Sequence, residues 1–264
     1  TPIPRTLSMS VYADMDVSVI DQLPPGRKPV ITTVMSDERR DEVVTRVADA
    51  CAVGRQAYWV CTLIEESETL QCQAAEATAM ELGELLTGVK IGLVHGRMTA
   101  ALKTDVMNEF KTGAIDLLVA TTVIEVGVDV PNASLMVIEN SERLGLAQLH
   151  QLRGRVGRGS EESHCVLMYK KPLGKLSRER LEVMRQSNDG FFIAERDLEI
   201  RGPGELLGTR QSGALNFRIA DLMRDEHMLK DVRRTSLMLM ENSRRRCELL
   251  VNRWIRDTEK ISQV

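Results

Sequence analysis

Thr99-Ala-Ala-Leu-Lys-Thr-Asp-Val-Met-Asn-Glu-Phe110, followed by Lys111-Thr-Gly113 and then Ile115-Asp-Leu-Leu-Val-Ala-Thr121, holds the pattern that decides the fold. The first stretch spaces its apolar residues as a helix does, Gly113 lies beyond its end, and the last stretch is a short apolar run of strand length. An amphipathic helix feeding a strand that is apolar on both sides is one half of a βαβ unit, and such a strand must be covered on both faces.

The alternation continues in both directions. An extended run at Val30 to Met35 leads into a helical pattern from Asp37 to Val53, with Ser36 as N-cap and Gly54 as stop. Gln56 to Leu63 reads as a strand, Glu68 to Leu86 as a helix and Val89 to His95 as a strand. Ala133 to Glu139, Leu146 to Arg153 and Ser163 to Tyr169 follow as strand, helix and strand. The expected fold is α/β, a parallel sheet with helices on both faces. Ligands of such sheets bind beyond the carboxyl ends of the strands, so the places to look are Thr62 to Ser67, His95 to Met98, Thr121 to Pro131 and the helix entry before Gln148. After Lys171 the strand signal stops. Leu176 to Ser187 and Ala220 to Trp254 look helical, with a glycine-rich stretch between them. The division expected is a linker over 1–27, an α/β lobe over 28–171 and a mainly helical extension over 172–264.

Composition removes several classes. The chain has 264 residues, 43% apolar and 28% charged, which excludes disordered, collagen-like and disulfide-scaffold chains. The most apolar stretch, Leu117 to Val130, contains Glu125 and Asp129 and falls short of the roughly 18 residues of a membrane span, so no membrane contact is expected. The opening Thr-Pro-Ile-Pro-Arg has no Met and no signal-peptide pattern and reads as cut from a longer chain. Five cysteines and four histidines show no C-x-x-C or H-x-x-x-H spacing; no metal site is expected, and the thiols read as reduced core residues of a cytoplasmic protein. The net charge of −3 hides an asymmetry. Residues 1–170 carry 16 Lys+Arg against 23 Asp+Glu, whereas residues 171–264 carry 19 against 15.

The densest cluster is Gln148-Leu-His-Gln-Leu-Arg-Gly-Arg-Val-Gly-Arg-Gly159. Arginines alternating with glycines present planar, permanently charged forks beside uncovered backbone, which suits polyphosphate oxygens; a solvated basic turn is the alternative. Upstream, Thr121-Thr-Val-Ile-Glu-Val-Gly-Val-Asp-Val-Pro131 offers hydroxyls, Gly127 and Asp129, which could meet a sugar and a phosphate or form an ordinary turn. With nine aromatic residues, two of them Trp59 and Phe110 on apolar faces, base stacking is a poor basis for nucleic-acid binding, and backbone contact through arginine, lysine and amides fits better.

Taken in order, Thr1-Pro-Ile-Pro-Arg-Thr-Leu7, Trp59-Val-Cys-Thr-Leu-Ile-Glu-Glu66, Val94-His-Gly-Arg-Met98, Thr121 to Pro131 and Gln151 to Arg158 resemble motifs III to VI of superfamily 2 helicases. Asp197-Leu-Glu-Ile-Arg-Gly-Pro-Gly-Glu-Leu-Leu-Gly-Thr-Arg-Gln211 resembles the translocation motif of the RecG family, branch-migrating DNA helicases, a motif shared in similar form by transcription-repair coupling translocases. Val19 to Lys28 and Gly145 to His150 look more like the RecG family. The alternatives are a transcription-repair coupling translocase or a non-catalytic nucleic-acid-binding module.

The resemblance implies the second RecA-like lobe of an ATP-dependent motor and its tail. It implies Arg155 and Arg158 at the γ-phosphate with Gln151 ordering the site, and Thr122, Glu125, Gly127 and Asp129 toward nucleotide and ribose. It implies Arg97, Thr121 and Arg210 as contacts to the DNA backbone, and Arg180, Arg201 and Gln211 as the link from a helical hairpin to a DNA-facing loop. No G-x-x-x-x-G-K-[ST] is present, and Gly174-Lys-Leu-Ser177 is not one. Asp37-Glu-Arg-Arg40 and Asp225-Glu-His227 look superficially like an acidic metal-binding box but read as solvated helix positions, neither after an apolar strand. ATP and Mg would then be bound mainly by a first lobe outside this sequence, with none held tightly by this chain. The implied partners are duplex and branched DNA, that first lobe and the wedge domain of the same protein, at the bacterial nucleoid.

Overall fold

The computed structural model describes residues 28–62, 68–121, 130–159, 161–201 and 228–254. Six strands, β1 (Ile31–Ser36), β2 (Gln56–Val60), β3 (Ile91–Val94), β4 (Leu117–Ala120), β5 (Ala133–Ile138) and β6 (His164–Tyr169), form one sheet in the order β1-β6-β5-β2-β4-β3. Every neighbouring pair is parallel. The apolar runs predicted as strands are these strands, most of them shortened at their ends and the first shifted by one residue to take in Ser36. β2, β4 and β5 are buried at every residue, while β1 and β3 alternate, because they lie at the two margins.

The helices between the strands are α1 (Arg40–Ala52), α2 (Glu68–Leu85), α3 (Ala100–Lys111) and α4 (Leu146–Arg153). The helix expected from Asp37 begins as a separate 3-10 turn, Asp37–Arg39, and Ser36 caps that turn by accepting from the Glu38 amide at 3.4 Å. Thr99 caps α3, its Oγ1 accepting from the Leu102 amide at 3.3 Å. Alternate strand residues fill two cores. Ala57, Trp59, Leu117, Val119 and Val137 pack with Val43 and Val47 of α1 and Ala75 and Leu82 of α2. Tyr58, Val60, Leu118, Met136 and Leu167 pack with Phe110 of α3 and Leu146, Leu149 and Leu152 of α4. Tyr58 meets Phe110 edge to face, centroids 4.9 Å apart, a geometry that adds to simple area burial. Gln56, buried at the start of β2, donates through Nε2 to the Ile115 carbonyl at 2.7 Å.

Beyond β6 the chain forms α5 (Lys175–Gln186), α6 (Gly190–Arg201), α7 (Leu229–Asn242) and α8 (Arg244–Trp254). α6 lies in the stretch read as a glycine-rich connection. Its start is set by the Ser187-Asn-Asp189 turn: the Phe191 amide donates to Asp189 Oδ1 at 2.8 Å and the Asp189 amide to Ser187 Oγ at 3.0 Å. The described part of the long helix expected over Ala220 to Trp254 is two helices, divided at Ser243 (φ −164°, ψ 88°). Among the described residues, 28–200 form one compact unit and 228–254 belong to another. α5 and α6 therefore share the unit of the sheet, past residue 171, and Leu181, Val183, Met184 and Ile193 complete the core that holds α3 and α4.

Candidate nucleotide and DNA site

All six strands run one way, so the sheet has an amino edge, where they begin, and a carboxyl edge, where they end. The arginine-glycine turn lies at the amino edge. α4 brings the chain back from the carboxyl edge, and residues 154–159 then pass beside the starts of β1, β5 and β6. Gly157 has φ 75°, and a Cβ there would sit 2.8 Å from Val30 Cγ2, just before β1. A Cβ on Gly159 would sit 2.5 Å from the Pro131 carbonyl oxygen, just before β5. Neither position can carry a side chain without moving backbone or core, so these glycines fix the path of the turn. Arg155 is half-buried, and Arg158 is exposed with its Nε 3.4 Å from the Gly154 carbonyl. Gln151 is exposed on α4. Unlike the loops that follow strand ends, this turn precedes β6.

Thr122, Glu125, Gly127 and Asp129 lie outside the described residues, but both flanks of their segment are placed. Thr121 leaves β4 at the carboxyl edge and Pro131 enters β5 at the amino edge, against Gly159. The two stretches singled out from sequence thus adjoin at one point.

The carboxyl edge has a different lining. Thr121 is 2% exposed; its amide donates to the Val94 carbonyl at 3.2 Å and its Oγ1 has no hydrogen-bond partner among the described residues. Asn140, in the left-handed region at φ 47°, donates through Nδ2 to the Thr62 carbonyl at 2.9 Å, and Thr62 Oγ1 donates back to the Asn140 carbonyl at 3.1 Å. His95 Nε2 stands 3.5 Å from Glu76, and Arg97 is exposed. Arg40 reaches Glu139 at 3.0 Å and Glu81 at 2.8 Å with its guanidinium 5.2 Å from the Trp59 ring centroid. Desolvation opposes the Arg40 charge, but Glu139 and Glu81 outweigh it and raise the pKa. Asp37 and Glu38 directly follow β1, contrary to the sequence reading. Glu38 is engaged with Lys171 at 2.7 Å, which holds its carboxyl below the ordinary value. Among the described residues no group of three His, Cys, Asp or Glu could hold a metal ion, and no helix is long and apolar enough to cross a membrane. Burial pushes the Cys61 and Cys165 thiols up to about 12, so both are neutral core residues.

Arg180 on α5 donates through NH2 to the Glu142 carbonyl at 2.9 Å and to Ser177 Oγ at 3.0 Å, tying α5 to the turn after β5. The loop to which it was expected to connect, with Arg210 and Gln211, is outside the described residues. Arg201 closes α6, and its side chain is outside them too. The residue that sequence reasoning missed is Arg153. It is 2% exposed, and its NH1 donates to the Met184 and Ser187 carbonyls, both at 2.8 Å, and to Thr32 Oγ1 at 3.2 Å. Its NH2 lies 3.1 Å from His150 Nδ1. Burial lowers the Arg153 pKa. A signal existed: Leu146, Leu149, His150 and Arg153 follow the i, i+3, i+4, i+7 spacing of an inward stripe, and all four are buried.

Comparison with known proteins agrees with this architecture. The helicase conserved C-terminal domain matches residues 41–160, and ATP-dependent DNA helicase RecG, domain 3, C-terminal, matches residues 187–253. ATP-dependent DNA helicase RecG of Escherichia coli (strain K12) is 62% identical over 263 residues, 99% of this chain and 38% of that protein. The RecG of Pasteurella multocida (strain Pm70) is 61% identical over 265 residues, 100% of this chain and again 38% of the relative. A solved structure of RecG bound to a three-way DNA junction superposes with a TM-score of 0.68 at 46% identity, covering 87% of this chain and 30% of that one. The chain thus spans 38% of the length of these curated relatives. Its RecA-like sheet, its helical tail and its identity over nearly every residue place it in the RecG family of ATP-dependent DNA helicases, to whose C-terminal region it belongs.

Proposed function

We propose that the chain supplies the second motor lobe and the translocation tail of an ATP-dependent DNA helicase that remodels branched DNA, stalled forks and Holliday junctions, in recombination and repair. The observation that carries this reading is the placement of Arg155 and Arg158 on a turn held at the amino edge by Gly157 and Gly159, beside the re-entry of segment 122–129. Phosphoryl transfer sheds negative charge at the γ-phosphate, and an arginine delivered across an interface contributes about 10³ to 10⁵ in rate in systems of this kind. In this reading the arginine turn meets a nucleotide held by the first lobe. The exposed Arg158 and the half-buried Arg155 fit phosphate oxygens. No described carboxylate cluster fits magnesium, whose ligands belong in this reading to the first lobe.

Gln151 orders the arginines, and Thr122, Glu125, Gly127 and Asp129 meet nucleotide and ribose. Thr121 and Arg97, at the carboxyl edge, and Arg210 contact the DNA backbone. Arg180, Arg201 and Gln211 hold the tail that turns lobe closure into displacement of duplex. Further partners are the first lobe and wedge domain of the same protein, at the nucleoid in the bacterial cytoplasm. The chain alone binds ATP weakly and does not turn it over.

The test is a junction assay on the full-length protein with ATP and no RNA polymerase, run beside the isolated chain. Unwinding of a three-way junction by the former and no ATP turnover by the latter are expected. An inactive full-length protein, or steady hydrolysis by the chain alone, overturns the reading.

A further inference from the structure

We infer that Arg153 and His150 of α4 form a seat for the turn between α5 and α6, and that Arg153 is the positioning residue through which movement of the 154–158 turn reaches both helices. The inference rests on the motor reading above for its consequence, but its geometry stands by itself. The last carbonyls of a helix have no amide of their own helix to accept from. Arg153 reaches two carbonyls at this end of α5, Met184 and Ser187, and places a cation where the helix dipole favours one. The same NH1 reaches Thr32 Oγ1 of β1, so α5, α4 and β1 meet at one nitrogen.

His150 carries the contact to α6. A guanidinium has only donors, so Nδ1 must accept from Arg153 NH2 and the imidazole is neutral in this arrangement. The far side of the ring faces the first residue of α6: a Cβ on Gly190 would lie 3.1 Å from His150 Nε2. α4 therefore holds the chain on both sides of Ser187-Asn188-Asp189. Arg153 is held by carbonyls, a hydroxyl and an imidazole, so direction rather than ion pairing fixes it. One ammonium cannot reproduce that fork.

Arg153 is also two residues from Arg155. Near its other end α5 is tied to the turn after β5 by Ser177, whose Oγ donates to the Glu142 carbonyl at 3.0 Å, and at its middle by Arg180. A shift of the arginine turn relative to β5 must then move the α5–α6 turn as well, because α5 is fixed at both ends to different parts of the lobe.

The experiment uses the full-length protein with Arg153→Lys, His150→Ala, His150→Asn and Gly190→Ala. ATP hydrolysis (kcat and KM), three-way junction unwinding and thermal melting are measured on one preparation, with hydrogen exchange of residues 184–193. Arg153→Lys and His150→Ala are expected to unwind about tenfold less junction per ATP, within the range of changes along coupling networks, with KM for ATP unchanged. Gly190→Ala should show a smaller loss. His150→Asn, whose Oδ1 can stand where Nδ1 stands, should recover most of the coupling. Amides of 184–193 should exchange faster in Arg153→Lys and His150→Ala while those of α3 do not. Equal loss of hydrolysis and unwinding together with a lowered melting temperature, no rescue by His150→Asn, or unchanged exchange at 184–193 overturns the inference. The unsubstituted protein in the same assay reports on the helicase reading separately.

Discussion

At the amino edge of the sheet the chain is pinned by backbone: Gly157 lies against Val30, Gly159 against the Pro131 carbonyl, and the cations Arg155 and Arg158 are carried on the turn they define. At the carboxyl edge small polar side chains do the ordering, with Thr62 and Asn140 exchanging hydrogen bonds and Thr121 buried with a bare Oγ1. One edge presents positive charge on a turn fixed by glycines, and the other mixes small polar groups with paired charges such as Arg40 with Glu139 and Glu81. The rule that ligands gather at carboxyl ends describes what a parallel sheet binds by itself. An edge that offers arginines without a cradle is suited to a ligand that something else already holds.

The comparison breaks most visibly if the amino edge is neutralised. Arg158→Ala in the full-length protein should lower DNA-stimulated ATP hydrolysis by about 10³ or more, with Arg155→Ala nearly as severe and melting unchanged. Parental rates in both variants would take the amino edge out of the chemistry. A change in the shared core should instead cost both edges together: Phe110→Ala, which removes the Tyr58 contact, is expected to cost about 3 to 5 kcal/mol of stability by chemical denaturation. Loss of one function without loss of stability would show that the edges do not depend on this core equally.

The tail separates hydrolysis from work. Arg180→Ala should keep most ATP hydrolysis and lose about tenfold in junction unwinding, and Arg201→Ala and Gln211→Ala should do the same. If all three lose both activities in parallel, their role is packing. The smallest effects belong to the carboxyl edge. Thr121→Val should change stability by no more than about 0.5 kcal/mol, since no protein partner of Oγ1 is lost, yet weaken DNA binding measurably. Arg97→Ala should reduce the slope of log affinity against log salt by about 1, the mark of one phosphate contact. An unaltered slope would remove Arg97 from the DNA surface.

The strands were legible because the central ones are short, mostly apolar runs, and Leu117–Ala120 admits little else. The 3-10 turn at Asp37–Arg39 was not, since a helical pattern in sequence does not distinguish a tighter first turn. α6 was hidden by the expectation that glycine marks a connection, although Ser187-Asn-Asp189 ahead of Phe191 is a helix start. Of the site, Arg155 and Arg158 stood out by the company of glycines, while Arg153, two residues earlier in the same cluster, was not singled out. What distinguishes it is three oxygens on β1, α5 and the turn beyond, none of which is near it in sequence.

The strand order also sets a timetable. Of the six strands β1 is made first, and among the described residues its partner in the sheet is β6, with Ile31 opposite His164. At roughly 5 to 20 residues per second of synthesis, β1 waits on the order of ten seconds for the segment that pairs with it. β2, β4 and β3 can join one another well before that, because Ala57 to Ala120 supplies all three. The lobe is therefore expected to grow on the ribosome from the β3 margin toward β1. In a nascent chain, the unpaired strand Ile31–Ser36, with Ile31 at its exposed end, is the segment most open to pairing with the wrong neighbour.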